Sequence, residues 1–238
     1  DAFEKDLSLI TAFYYDRGFL QMQTGTPRIE LTSDRRFIDI TIPVTEGPRY
    51  RIGRLDIREE DADGEEIDPL GGRRQLREMV AANPGDWFNR TQLATALLAL
   101  TRFYRDEGYA HVEVTPQTDL DPEDETVDLV LVIERGPLTR VERINIRGNT
   151  KTRDSVLRRE LRIHEGDPYD QSLLELSRVA VNALGYFERV DVSESEGSAP
   201  DQIVVNFEVT ERPTGTFQIG AGFSSIESLI FTAQLQQQ

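Results

Sequence analysis

The feature that most constrains the fold of this chain is an internal repeat. An amphipathic segment ends just before a glycine three times, at Gly18, Gly108 and Gly185. The apolar residues before the first two glycines stand at the same four offsets: Phe3, Leu7, Ile10 and Tyr14, then Leu93, Leu97, Leu100 and Tyr104. This spacing predicts helices with one apolar face and a glycine at the C-terminal end. Before Gly185 the stripe shifts by one position, and the buried face predicted there is Leu173, Leu176, Ala180 and Leu184.

Two strand-like runs follow each of these glycines. The first run alternates polar and apolar residues, as a half-exposed strand does, over residues 28–32, 110–115 and 187–193. The second is rich in β-branched residues and leads to an acidic residue followed closely by proline, over residues 37–42, 127–132 and 203–207. Each copy of the repeat is therefore predicted to end in a pair of strands.

A further strand and a further helix stand upstream in two of the copies. Residues 51–57 match residues 140–146 at a displacement of 89 positions. Each of these strands leads into a short predicted helix, at 73–82 and 152–161. A glycine turn then ends at Asn89 or Asp170, which are both good N-cap residues. The repeating unit is therefore β-α-α-β-β.

These units predict an α+β chain of tandem domains, in each of which two helices cover a three-stranded mixed sheet. We predict complete domains at residues 48–136 and 137–213. Residues 1–47 are predicted to be the C-terminal part of a truncated domain, without its first strand and first helix. The N-terminus has no initiator methionine, and we expect the chain to be a fragment of a longer protein.

After Pro213 the charge almost vanishes, and strict alternation with glycine and aromatic residues begins. This pattern is typical of membrane β-barrel strands, although a hairpin of a soluble sheet can also have it. The pattern alone leaves both interpretations of residues 214–238 open. Strands without neighbours leave backbone groups unpaired, so we expect residues 36–44 or the tail to pair with another chain. The alternative is a tail that closes into its own hairpin.

Composition and motifs exclude several classes of function. The formal net charge of −16 disfavours non-specific binding to nucleic acid or anionic membranes. The chain has no cysteine, which excludes disulfides and thiolate metal sites. Its two histidines, His111 and His164, lie in different repeats without metal-binding spacing, and no glycine-rich phosphate loop is present. We therefore expect no enzyme activity, no cofactor and no metal site.

The last third of the chain contains the most specific motifs. Gly148-Asn149-Thr150 precedes the segment 156–162, the pair Glu165-Gly166 and the segment 184–187. In this order they resemble the last POTRA (polypeptide-transport-associated) domain of outer-membrane β-barrel assembly factors, and residues 214–220 resemble the junction into the first barrel strand. The resemblance implies a scaffold in the periplasm of a Gram-negative bacterium, attached to an outer-membrane β-barrel. It also implies that residues 214–238 are the first strands of that barrel, which is truncated in this chain.

The resemblance also implies a docking site for accessory outer-membrane assembly lipoproteins of the BamD type. Its residues in this chain are Arg158, Arg159, Arg162 and Glu165. Arginine suits such a site because its guanidinium binds carboxylates in a bidentate manner. The alternative is a solvated helix face in which Asp154 and Arg158 form an i, i+4 pair.

A second implied surface is the open edge of each sheet. In the family the last strand of each domain is central, which leaves the strand after the glycine at the edge. There it could bind unfolded outer-membrane proteins by strand addition. The edge residues are Arg28, Ile29, Glu30, Leu31, His111, Val112, Glu113, Val114, Arg189, Val190 and Asp191. Alternatively, Glu30, Glu113 and Glu188 protect these edges against aggregation.

Two other functions fit the same sequence. One is the POTRA region of a related translocation or two-partner secretion transporter. The other is a self-standing periplasmic interaction module without a barrel. The sequence that follows residue 238 in the whole gene product would separate the second of these from a barrel-linked scaffold.

Overall fold

The computed structural model describes residues 2–61, 64–213, 215–222 and 230–237. The chain forms two compact units. The first contains residues 1–139 together with 169–171, and the second contains residues 140–168 and 172–238. The mixed sheets and the helices that the repeat predicts are present in both, and the α+β class is confirmed.

The first unit contains one complete β-α-α-β-β repeat. Its elements are β5 (Arg51–Glu60), β6 (Glu66–Ile67), α2 (Arg73–Met79), α3 (Arg90–Asp106), β7 (Glu113–Asp121) and β8 (Thr126–Glu134). The sheet order is β6-β5-β8-β7, in which β5 and β8 are parallel and the other pairs are antiparallel. The sheet has four strands where three were predicted, because the acidic loop after β5 folds back and pairs Glu66 and Ile67 with the end of β5.

The predicted apolar stripe of α3 faces the core of this unit. Leu100 and Tyr104 are fully buried, Ala96 is nearly so, and Leu97 is half-buried against the same core. The helix begins where the sequence predicts, because the side chain of Asn89 accepts a hydrogen bond from the backbone N–H of Gln92.

A buried carboxylate connects four parts of this repeat. Glu59 on β5 has no exposed surface, and its Oε2 accepts hydrogen bonds from the Tyr104 hydroxyl and, at 2.8 Å, from the backbone N–H of Leu70. Its Oε1 lies 3.0 Å from Nε of Arg135, just after β8. Burial first, and then the hydrogen bond to Glu59, raise the pKa of Tyr104. The carboxylate thus joins the sheet, α3, the loop before α2 and the end of the repeat.

Residues 2–47 form a helix and two small strand pairs within the first unit. The elements are α1 (Ala2–Tyr15), β1 (Gln23–Thr24), β2 (Arg28–Leu31), β3 (Ile38–Thr41) and β4 (Val44–Thr45), with β1 paired to β4 and β2 paired to β3. The single strand predicted over residues 36–44 is interrupted at Ile42 and Pro43. Proline has no backbone N–H, which accounts for a break in the ladder at this point.

The second unit contains the other complete repeat. Its elements are β9 (Arg140–Arg147), α4 (Asp154–Arg158), α5 (Gln171–Ala183), β10 (Phe187–Glu196) and β11 (Gln202–Glu211). The sheet order is β10-β11-β9, with β11 antiparallel to β10 and parallel to β9. Two further strands, β12 (Gly215–Gly222) and β13 (Ile230–Gln237), pair with each other in antiparallel fashion.

The predicted buried face of α5 is wrong. Leu176 is 55% exposed, and the buried residues are Leu174, Ser177 and Val181. The prediction chose leucine over serine for the inward position. Ser177 can be buried because its hydroxyl accepts from the backbone N–H of Arg162 at 2.8 Å and donates to the carbonyl of Leu173 at 2.7 Å.

The barrel prediction for residues 214–238 stays a prediction. The pairing of β12 with β13 agrees with two alternating strands, whether they begin a barrel or form a hairpin. The two strands predicted for this tail span residues 216–223 and 229–236, and their ends at residues 223 and 229 lie outside the described residues. None of the described helices has the length and apolar character needed to cross a membrane.

Candidate functional site

The predicted edge strands lie at the edges of their sheets. β7 and β10 are terminal strands, while β8 and β11, the last strands of their repeats, are central. In the described part of the chain β2 pairs with β3 alone. Two of the predicted edge residues are placed differently, since β7 begins at Glu113 and His111 and Val112 precede it. Val112 is buried, and its backbone N–H donates a hydrogen bond to the carbonyl of Tyr109. This hydrogen bond belongs to the turn that follows Gly108, so the strand begins only after Val112.

The three edges differ in how well they could accept another strand. β2 has four residues, and β7 contains Pro116, which cannot donate a backbone hydrogen bond. β10 has ten residues and no proline. Along β10 the Val190 side chain is buried, Arg189 is exposed and Asp191 is half-buried. Nε of Arg189 lies 2.6 Å from Oδ2 of Asp191 and forms an ion pair with it.

Acidic residues oppose each other across two of the edge pairs. In the antiparallel register Glu30 lies opposite Asp39, and Glu113 lies opposite Glu134. Like charges directly opposite each other destabilise a strand pair, and they also repel further acidic strands. This placement favours a protective role for the acidic residues of β2 and β7, as the alternative interpretation holds.

Arg158 lies at the centre of the predicted docking cluster. Its Nε donates to Asp154 Oδ2 at 2.6 Å, which is the i, i+4 pair expected on a solvated helix face. Its Nη2 donates to the carbonyl of Ile144 on β9 at 3.0 Å, and its Nη1 lies 3.5 Å from Glu165 Oε1. The hydrogen bond with Asp154, the largest of several causes, raises the pKa of Arg158. The guanidinium therefore links the short helix α4 to the edge strand β9.

Glu165 completes the same arrangement from the turn that follows α4. Its Oε1 accepts a hydrogen bond of 3.0 Å from the backbone N–H of Ile144. The N–H and the carbonyl of Ile144 are thus both bound by side chains, Glu165 and Arg158, at the outer edge of β9. The Glu165 side chain is still 47% exposed, which leaves room for a partner to approach its carboxylate.

The other two predicted docking residues have freer side chains. Arg159 is exposed and its Nε lies 3.1 Å from Glu160 Oε1. Arg162 is held only through its backbone N–H, which donates to Ser177 Oγ. Within the described residues its exposed guanidinium has no hydrogen bond or ion pair.

The residues of the predicted docking cluster occur together in only one of the two complete repeats. Pro84 stands before the turn glycine Gly85 at the position that Glu165 has before Gly166. Pro84 has no carboxylate, so the first repeat cannot form the same contact with its first strand, β5. A partner that recognises this cluster would therefore distinguish the two repeats.

No group of three or more histidine, cysteine or acidic side chains in the described part of the chain is arranged to hold a metal ion. His164 lies 3.3 Å from Asp167 through Nδ1 and is exposed. His111 is exposed in the turn before β7.

Glu211, at the end of β11, organises a turn that the sequence did not single out. Its carboxylate accepts hydrogen bonds from the Thr150 hydroxyl at 2.7 Å and from the backbone N–H groups of Thr152 and Lys151 at 2.7 and 3.0 Å. The Thr150 hydroxyl, followed by the Thr152 N–H, holds the pKa of Glu211 at about 2, below its ordinary value of 4.5. The pattern of a strand ending in an acidic residue before proline marks Glu211, but not its partners 60 residues upstream.

Comparison with known proteins agrees with this architecture. A family model named POTRA, described as "Surface antigen variable number repeat", matches residues 71–136 and 139–212, more than half of the chain. The outer membrane protein assembly factor BamA of Neisseria meningitidis serogroup B is 34% identical over 236 residues, or 99% of this chain and 29% of that protein. BamA of Nitratidesulfovibrio vulgaris is 29% identical over 226 residues, or 93% of this chain and 27% of that protein.

Solved structures give the same result. The crystal structure of POTRA3-5 from Haemophilus influenzae BamA matches with a TM-score of 0.74 and 28% identity, over 88% of this chain and 80% of that one. BamA from Haemophilus ducreyi lacking POTRA domains 1-3 matches with a TM-score of 0.59 and 26% identity, over 79% of this chain and 34% of that one. The chain spans less than a third of the curated relatives named above. Its sequence and its tandem β-α-α-β-β fold confirm the predicted resemblance, and the chain belongs to the POTRA family.

Proposed function

We propose that this chain is a periplasmic scaffold of an outer-membrane protein assembly machine in a Gram-negative bacterium. The family match and the similarity to BamA proteins over almost the whole chain support this proposal. Residues 214–238 would begin the adjoining outer-membrane β-barrel. The scaffold has two binding tasks and no catalytic step: it docks an accessory BamD-like lipoprotein and it holds unfolded outer-membrane proteins.

The observation that carries the docking proposal is the Arg158–Glu165 arrangement beside a free Arg162. Two charged side chains are fixed in position by the backbone of Ile144, so a partner would lose little side-chain entropy on binding them. Arg162 adds a cation whose charge is not neutralised within the described residues. A lipoprotein surface with a carboxylate facing Arg162 and a cation facing Glu165 would be complementary to this cluster.

Arg162→Glu is expected to weaken binding of the cognate BamD-like lipoprotein by roughly 30-fold or more, since reversing a charge in a desolvated contact costs about 2 kcal/mol or more. Isothermal titration calorimetry with the soluble part of the lipoprotein measures this. The melting temperature should stay nearly constant, because the Arg162 side chain is exposed and its structural hydrogen bond uses the backbone.

Arg74→Glu is the matched control, since it makes the same change of charge on a side chain that is 93% exposed in the other repeat. It should leave the affinity unchanged. Equal affinity of Arg162→Glu and the unsubstituted chain would instead favour the solvated-face interpretation. Glu165→Lys is a poorer test than the sequence suggests, because it also removes the hydrogen bond to the Ile144 N–H and disturbs β9.

For client binding we propose strand addition at β10. β10 is terminal in its sheet, runs for ten residues and contains no proline, so beyond the bulge at Phe187–Arg189 its outer edge offers a continuous row of backbone groups. Pairing through the main chain accepts many client sequences, as a general assembly factor requires. The shorter β2 and the proline-containing β7 are the weaker sites of the three.

A peptide with the alternating pattern of a barrel strand is expected to slow hydrogen exchange of outer-edge amides in β10, because these amides would become hydrogen-bonded. Nuclear magnetic resonance of the full chain measures each amide separately. The control is the same peptide with N-methyl groups on alternate backbone nitrogens, which keeps the side chains but removes the donors. Protection by the methylated peptide as well, or protection confined to other strands, would contradict strand addition at β10.

A further inference from the structure

A groove in the second unit lies beside the point where β11 leads towards the terminal strands. It encloses about 610 Å³, within the range of ligand-binding clefts. Its lining comes from the turn at Lys151–Arg153, the helix α4, the segment at Leu184–Tyr186 and the end of β11. The groove includes Arg159, but neither Arg162 nor Glu165 lines it.

The charged lining of this groove is strongly basic. Four cations line it, Lys151, Arg153, Arg159 and Arg212, against the single carboxylate of Glu211. All four cationic side chains are on exposed residues. The whole chain has 43 acidic and 27 basic residues, so this concentration of positive charge is a local reversal. At physiological salt, charges more than about 8 Å away are largely screened, and the local charge decides what binds here.

The single carboxylate is already occupied. Glu211 accepts hydrogen bonds from three donors of the Thr150–Thr152 turn, one hydroxyl and two backbone N–H groups, and its charge holds this part of the lining in place. Lys151 and Arg153 have no side-chain hydrogen bond or ion pair within the described residues. The ammonium group of Lys151 and the guanidinium group of Arg153 are thus free to bind an anion.

The rest of the lining is apolar and aromatic. Val156, Leu184 and Pro213 contribute carbon surface, and the Tyr186 ring is 55% exposed. Tyrosine beside lysine and arginine is typical of the membrane–water interface, where the ring lies at the level of the head groups. An anionic amphiphile would satisfy both parts of this lining, whereas a purely acidic peptide would leave the apolar part exposed.

We propose that this groove binds the head group of an anionic phospholipid at the periplasmic surface of the outer membrane. The inference rests on the proposed function, because that function puts the strand beginning at Gly215 into the membrane. Pro213 lines the groove and is only two residues before Gly215, so the groove would face the head-group layer. The bound phosphate would accept from Lys151 and Arg153, and the Tyr186 ring would lie against the upper acyl chains.

The test is binding of the full chain to vesicles made of equal parts phosphatidylglycerol and phosphatidylcholine, measured by flotation. The double variant Lys151→Gln with Arg153→Gln is expected to reduce partitioning by about fivefold for each cation and roughly 25-fold in total, the amount expected for basic residues near an anionic surface. The matched control is Arg54→Gln with Arg74→Gln, which removes the same charge from exposed side chains of the other unit and should retain binding.

Four results would overturn the proposal. Equal loss in both double variants would indicate a general effect of net charge, and equal binding to vesicles of phosphatidylcholine alone would exclude recognition of the anionic head group. Displacement of the chain from vesicles by polyglutamate or by free phosphate at millimolar concentration would indicate an acidic protein segment or a simple anion site. Absence of vesicle binding by the unsubstituted chain, together with intact lipoprotein docking, would reject the lipid groove and leave the proposed scaffold function standing.

Discussion

Glu59→Ala is expected to lower the free energy of unfolding of the first complete repeat by about 3–5 kcal/mol, as removal of one partner of a buried ion pair does. The substitution leaves the Arg135 guanidinium without its carboxylate and the Tyr104 hydroxyl and the Leu70 N–H without their acceptor. A domain of this size has about 5–15 kcal/mol of stability in total, so the repeat should lose a large fraction of it.

Urea unfolding followed by tryptophan fluorescence measures this loss selectively. The only tryptophan of the chain, Trp87, lies in the same repeat. Glu66→Ala is the matched control, because it also removes a glutamate of this repeat but breaks only a half-exposed pair with Arg73, worth about 1 kcal/mol or less. Equal midpoints for the two variants would mean that the buried carboxylate contributes no more than a surface one.

Gly148→Ala is expected to destabilise the second complete repeat by about 2–5 kcal/mol. Gly148 has φ +88°, where an L side chain costs about 1–2 kcal/mol. A Cβ there would also lie 1.9 Å from the carbonyl oxygen of Val209 on the central strand β11. Backbone cannot move aside as a flexible side chain can, and overpacking of this kind adds about 1–3 kcal/mol.

Gly166→Ala separates these two contributions. Gly166 has φ +93° in the same repeat, but a Cβ there meets no heavy atom within 4 Å. It should therefore cost only the backbone part, about 1–2 kcal/mol. Hydrogen exchange of the β9 and β11 amides in both variants measures the difference, and equal protection in the two would show that β11 relaxes without cost.

The sequence predicts most of the fold because the repeat occurs more than once. A stripe of apolar residues before Gly108 predicts α3, and a matching segment at a displacement of 89 predicts β5 and β9. Comparison between copies makes weak local signals usable, since the same order of elements must account for both. The central position of the last strand, however, followed from the family resemblance rather than from spacing.

Two features of the core that the sequence analysis missed involve buried polar side chains, Glu59 and Ser177. Alternation along β5 puts Glu59 on the same face as the buried Ile57, and this signal could have identified its inward position. The prediction that Leu176 rather than Ser177 is buried in α5 was wrong because hydrophobicity alone does not show that a buried hydroxyl has hydrogen-bond partners. Partners distant in sequence, such as Arg135 for Glu59, are invisible to any local pattern.

The candidate sites were predictable to different degrees. Helical spacing brings Arg158 close to Asp154, but the contact of Glu165 with Ile144 depends on a turn and on a strand 21 positions upstream. The basic groove could not be predicted, because Lys151 and Arg212 are far apart in the sequence and meet only through the end of β11.

At one equivalent position the two complete repeats have residues with opposite structural requirements. Glu59 and Gly148 stand 89 positions apart, each eight residues after the start of its first strand. Recombination that exchanged these strands would put a glutamate where β11 leaves no space for a Cβ, and a glycine where Arg135 and Tyr104 need an acceptor. The repeats share the same order of elements but are not interchangeable modules. Designed chimeras of this chain must therefore carry each first strand together with its own partner residues.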